Sequence, residues 1–144
     1  MPYREKIAWL YLAAMALTYG PYFVITALHP PGDALPNLHQ FWLFAVTAVA
    51  HALLAGGGQA AIFLQNRAEA RLPLDERDLA ILHRSRTYAY YTLLTGMILV
   101  GCFLPIQHHG WTIVNGALLM IVLSETVQNG FAAVSYRRQA GGEA

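Results

Sequence analysis

Apolar residues dominate four long runs of this chain, at 7–28, 41–64, 88–106 and 111–136, and polar residues collect between them. A helix needs roughly 20 apolar residues to cross a ~30 Å hydrocarbon core, and each run is of that order. Lipid cannot hydrogen-bond a backbone, so a spanning segment must satisfy its own N–H and C=O groups, as a helix does. The pattern predicts an all-α integral membrane four-helix bundle, folded as a single transmembrane domain over 1–144 with one substantial loop at 65–87. The first run is longer than the 7–15 residues of a signal-peptide core and no A-x-A site follows it, so it is read as a retained span. Pro21 cannot donate to the Leu17 carbonyl, which predicts a kink or local unwinding there. Pro105 marks the outer end of span three, and Gln107-His108-His109-Gly110 reads as a tight turn. The small, polar tail 139–144 is expected to fray.

Charge orients this pattern. The nine basic residues are Arg4 and Lys6 before span one, Arg67, Arg71, Arg77, Arg84 and Arg86 between spans two and three, and Arg137 and Arg138 after span four. The other two connections, 29–40 and 107–110, carry none. Basic residues are retained on the cytoplasmic side, so both termini and loop 65–87 are expected to be cytoplasmic. Trp42 and Trp111 then lie near the outer interface, and Trp9, Tyr88, Tyr90 and Tyr136 near the inner one, where amphipathic rings belong.

Composition adds limits. The chain has 144 residues, 56% hydrophobic and 12% charged, so four spans leave no room for a separate soluble domain. A net charge of +1, with basic residues flanking spans, gives no case for nucleic-acid binding. The lone Cys102 excludes an internal disulfide and a thiol-based metal motif.

Loop 65–87 carries Asp75-Glu76-Arg77-Asp78-Leu79-Ala80-Ile81, followed by Tyr88-Ala89-Tyr90. Asp75 follows Pro73-Leu74 and is placed to cap a helix, its carboxylate accepting from free N–H groups of the first turn. Glu76 and Asp78 would sit at the positive end of that helix, and Arg84 and Arg86 would snorkel to the headgroups. The helix should begin outside the membrane and run into span three. Alternatively, Asp75, Glu76, Arg77 and Asp78 form a docking surface for a cytoplasmic protein. The segment resembles a group of small bacterial multi-pass membrane proteins that share a D-E-R-x-x-x-I element before a transmembrane helix. The resemblance implies a bacterial inner-membrane location and carries no activity, substrate or cofactor with it.

Within the spans, Ala48, Ala52, Gly56 and Ala60 form a ridge of small residues, suited to packing inside the bundle or to a homo-oligomer contact. Polar residues recur at helical spacing: Tyr11, Thr18 and Tyr22 in span one; Tyr88, Tyr91, Thr92, Thr95 and Cys102 in span three; Asn115, Glu125, Gln128 and Asn129 in span four. These sets are expected to face inward. His51 and Glu125 fall about 15 Å and 21 Å from the outer ends of their spans, near the middle of the core. Intramembrane ionisable groups are functional candidates. The sequence therefore nominates a polar site of Glu125, His51, Gln59, Asn129 and Thr95, either as a structural hydrogen-bond network or as a proton-coupling centre. His29, His39, His108 and His109, with Asp33, would share the outer face, and imidazole suits zinc or copper. Their spacing matches no compact metal motif, and the sequence calls for no cofactor. No catalytic constellation is visible. The favoured reading is an accessory or regulatory membrane protein presenting its cytoplasmic loop to a partner. A proton-coupled small-solute transporter using Glu125 and a metal-dependent enzyme using the outer histidines are the alternatives.

Overall fold

In a computed structural model the chain is described at residues 2–32, 37–108 and 110–142. The helices are α1 (Tyr3–Leu28), α2 (Leu38–Gln65), the single turn α3 (Arg67–Ala70), α4 (Glu76–Gln107) and α5 (Trp111–Gly142). No strand occurs among the described residues. Four helices, all but α3, are long and apolar enough to cross a membrane, so the chain is an all-α, multi-pass four-helix bundle.

Local chemistry sets the helix starts. Asn37 caps α2, its side chain accepting from the Gln40 N–H at 3.1 Å. Asp75 caps α4, accepting from the Asp78 N–H at 2.7 Å. The Asp78 carboxylate returns the bond to the Asp75 N–H, which completes a capping box. Between α4 and α5 the chain reverses through Gly110, whose φ of 56° is a left-handed conformation that glycine adopts without a Cβ clash.

Three expectations about span ends are corrected. Pro21 lies within unbroken α1, exposed, so of the kink or unwinding expected there the unwinding does not occur. Its ring costs one backbone bond, and the turns on either side hold the helix together. Pro105 likewise lies inside α4, which ends at Gln107 rather than at the proline. The helical segment does not stop at 139, because α5 continues to Gly142. Residues 143 and 144 lie outside the described residues.

The helices pack in the order α2–α1–α5–α4. The main contacts are α1 with α2, α1 with α5, and α5 with α4, and no comparable contact joins α2 to α4 among the described residues. Small residues set the approach of α1 to α2 and of α4 to α5. A Cβ on Gly58 would fall 2.6 Å from Leu10 Cδ1, so that glycine admits α1 against α2. On the other side, a Cβ on Gly96 would meet Met120 Cγ at 2.7 Å, and one on Gly116 would meet Leu104 Cδ2 at 2.8 Å. The predicted ridge is not used in this way. Ala52, Gly56 and Ala60 are exposed, and a Cβ on Gly56 would meet nothing within 4 Å. The α2 face that packs on α1 is instead the one bearing Gln40, Thr47, Ala55 and Gly58.

Candidate functional site

The basic residues at both ends of the chain and in loop 65–87 converge on one end of the bundle. Arg4, in the first turn of α1, donates through Nη1 to the Asp78 carboxylate in an ion pair with both side chains about one-fifth exposed (23% and 21%). Its Nη2 lies 3.4 Å from the carbonyls of Leu72 and Pro73. The Tyr3 N–H donates to Glu69 Oε1 at 2.6 Å, and Lys6 Nζ donates to Asn66 Oδ1 at 2.9 Å. The start of α1 thus ties down the segment between α2 and α4. The aim of these contacts follows from helix chemistry: the first turn of α1 has free N–H groups and two cations, and the loop offers carboxylates and free carbonyls.

A cavity of about 650 Å³ opens at this end, lined by Pro2, Tyr3 and Arg4, by Glu69 and the 72–78 segment, and by Tyr136 and Gln139 of α5. A second, of about 250 Å³, lies deeper, among all four long helices. Gln59, Ser85, Gln128 and Asn129 give it a polar wall, beside Ile7, Leu82 and Ala132.

The charged loop residues therefore have structural duties. Asp75 and Asp78 close the capping box, and Asp78 also takes Arg4. Glu76 and Arg77 are exposed, and Arg77 lines the larger cavity. The Arg4–Asp78 pairing was not legible in the sequence. Its partners are 74 residues apart, and only the meeting of α1 with α4 brings them together.

The intramembrane site is brought together only in part. Gln59 and Asn129 line the same 250 Å³ cavity, and Gln59 Oε1 accepts from the Tyr11 hydroxyl at 2.8 Å. His51 is elsewhere. Thr18 Oγ1 donates to the Ala14 carbonyl at 2.7 Å, so the 3.2 Å contact with His51 Nδ1 is best made by an Nδ1–H donating to Thr18. The imidazole also stands 5.2 Å from the Tyr19 ring. Glu125 does not point into the bundle. It is exposed on α5, and only its backbone carbonyl is engaged, by Asn129 Nδ2 at 2.9 Å. Thr95 is exposed as well, as are Tyr88, Tyr91 and Cys102, so the polar set of span three does not form an inward face.

The physical reason is that a helix can satisfy some polar side chains by itself. Thr92 donates to the Tyr88 carbonyl at 2.9 Å and Thr126 to Val122 at 2.7 Å, each one turn back. Such a hydroxyl need not face the interior. The seam of α4 with α5 is made instead by small and branched residues, with Ser124 donating across it to the Ala89 carbonyl at 2.7 Å.

The half of the bundle away from the basic end holds a polar cluster whose third member, Gln40, lies outside the apolar runs of the sequence. The Tyr22 hydroxyl donates to Asn115 Oδ1 at 2.6 Å, and Gln40 Nε2 donates to the Tyr22 oxygen at 3.0 Å. Gln40 Nε2 also lies 3.4 Å from Asn115 Oδ1. Gln40 had been placed in the connection before span two. The cap signal at Asn37 could have moved that boundary and brought Gln40 into the helix. Of the histidines at the end away from the basic residues, His29, His39 and His108 are exposed, and His109 and Asp33 lie outside the described residues. Among the described residues no three His, Cys, Asp or Glu side chains are close enough to hold one ion.

The chain matches no protein-family model, no curated protein and no solved structure.

Proposed function

We propose that this chain is an accessory or regulatory protein of a bacterial inner membrane, which presents its cytoplasmic end to a protein partner. The observation that carries the reading is the cavity of about 650 Å³ built from three separate parts of the chain, the start of α1, the 69–78 segment and the end of α5. A loop clamped by Arg4 keeps one shape, and a preformed surface loses less freedom on binding than a mobile one. Orientation rests on the nine basic residues, all at this end or in the segments leading to it. The bacterial location rests on the D-E-R-x-x-x-I resemblance. The partner is expected to read the shape of the cavity, since Asp75 and Asp78 are engaged within the chain. The transport alternative has less support, because Glu125 is not among the residues lining the polar cavity between the helices.

Two measurements test the proposal. Cysteines placed by Asn37→Cys and Glu69→Cys in a Cys102→Ser background should label with an impermeant reagent from outside intact cells at position 37 only. Labelling at 69 would reverse the orientation. A photo-crosslinking residue at Leu72 or Gln139 should then give a discrete protein adduct in cells, weakened by Arg4→Gln. Adducts that are absent, or that survive Arg4→Gln undiminished, would refute a partner surface that depends on the clamped loop.

A further inference from the structure

We infer that the groove between the first turns of α4 and the last turns of α5 binds the headgroup of an anionic phospholipid. The groove holds about 330 Å³ and adjoins the larger cavity, with which it shares Arg77 and Gln139. Arg84 from α4 and Arg138 from α5 line it from opposite walls, with Ser135 beside them and Ile81 and Phe131 as apolar surface. Arg77 lines it too. Among the described residues neither Arg84 nor Arg138 has a carboxylate partner, whereas Arg4 is paired. Two guanidinium groups in one concave site offer forked donors that match the oxygens of a phosphate.

The level of these residues points to a lipid. Phe131 stacks near Tyr88, so the two helices are level there, and from that level Arg84 lies four residues out, about 6 Å along its helix, and Arg138 seven residues out, about 10 Å. The headgroup layer occupies roughly 5–7 Å outside the hydrocarbon core, and side chains tilt toward their helix N-terminus, so Arg84 leans outward and Arg138 back toward the membrane, which brings both cations to the level of lipid phosphates. The apolar surface continues toward the core. Phe131 lies on the core side of both arginines and stacks near Tyr88 with ring centroids 4.9 Å apart, so the groove is apolar where acyl chains would begin. Basic pockets between helices at a membrane surface are recognised binding places for anionic lipid headgroups. Snorkelling alone would explain single arginines at this depth, but not their convergence on one groove.

The inference rests on the membrane reading, and on the proposed orientation only for which leaflet supplies the lipid. Because detergent micelles and nanodiscs offer lipid to both ends, its test stands or falls apart from the partner proposal. The full chain is purified and equilibrated with phosphatidylcholine and a minor share of phosphatidylglycerol, and retained lipids are counted by native mass spectrometry. The wild type should retain phosphatidylglycerol preferentially. Arg84→Gln with Arg138→Gln should reduce that preference on the order of a hundred-fold, and each single variant about ten-fold, as expected when a charge-assisted hydrogen bond to the phosphate is lost. Arg86→Gln with Arg137→Gln removes the same charge at similar depth from residues that do not line the groove, and should leave the preference intact. Equal loss in both pairs would reduce the effect to diffuse attraction and overturn the site, as would no loss in the first pair. If the double variant does not fold, the single variants carry the same two outcomes. Inorganic phosphate, added in phosphatidylcholine alone, identifies the source of the anion. Thermal protection by phosphate that Arg84→Gln abolishes would assign the groove to a soluble phosphate and overturn the lipid.

Discussion

Breaking the Arg4–Asp78 pair should destabilise the basic end of the bundle in a way that a double-mutant cycle can isolate. Exposed ion pairs contribute about 0.2–1 kcal/mol, and removing one partner of a fully buried pair costs roughly 3–5 kcal/mol. Here the side chains are 23% and 21% exposed, so the pair falls between these limits, toward the lower. The two carbonyl contacts of Arg4, at 3.4 Å, are long and add little. A coupling of about 1–2 kcal/mol is therefore expected, with Arg4→Gln alone costing a similar amount. Asp78→Asn should cost about 0.3–1 kcal/mol more than Arg4→Gln, because it also removes a negative charge from the N-terminus of α4. The double variant should cost less than the sum of the singles by the coupling. Unfolding in mixed detergent micelles, followed by circular dichroism, gives the energies. Trypsin cleavage after the exposed Arg71 reports on the loop directly, and should accelerate in all three variants. Additivity within about 0.3–0.5 kcal/mol, together with unchanged cleavage, would show that the pair holds nothing in place.

Asp75→Ser should be tolerated, because a hydroxyl can still accept from the Asp78 N–H, whereas Asp75→Ala should cost about 0.5–2 kcal/mol in the same unfolding assay. At Gly96, valine should destabilise by roughly 1–3 kcal/mol, since even a Cβ there would press on Met120, and Met120→Ala should recover part of the loss. Gly101→Ala, in open space, should instead gain up to about 1 kcal/mol from helix propensity, so equal effects at the two glycines would refute the close-approach argument. Glu125→Gln and Glu125→Ala should both assemble like the wild type, because the exposed carboxylate bonds nothing in the bundle. Poor assembly of the alanine variant alone would return Glu125 to a buried network.

What the sequence determined is what the solvent demands of each segment taken singly. Lipid forces backbone self-satisfaction, so run length and charge were enough for four spanning helices, and Asp75 with Asp78 was enough to start α4 before the membrane. Those are local or one-dimensional constraints. Tertiary packing decided which face of each helix turns inward. Polarity marks an inward face at Thr18 and Tyr22, which are buried, but not at Glu125, Thr95 and Tyr91, which are exposed. In a membrane the apolar effect does not separate inside from outside, since lipid is as apolar as a core, and hydroxyls can bond their own helix. Steric fit decides instead. Gly58 faces Leu10 and Gly96 faces Met120, while Gly56, of the same type and two residues from Gly58, faces nothing. Only the tertiary structure distinguishes them, because close approach depends on the side chain standing opposite, and that is a property of two helices together.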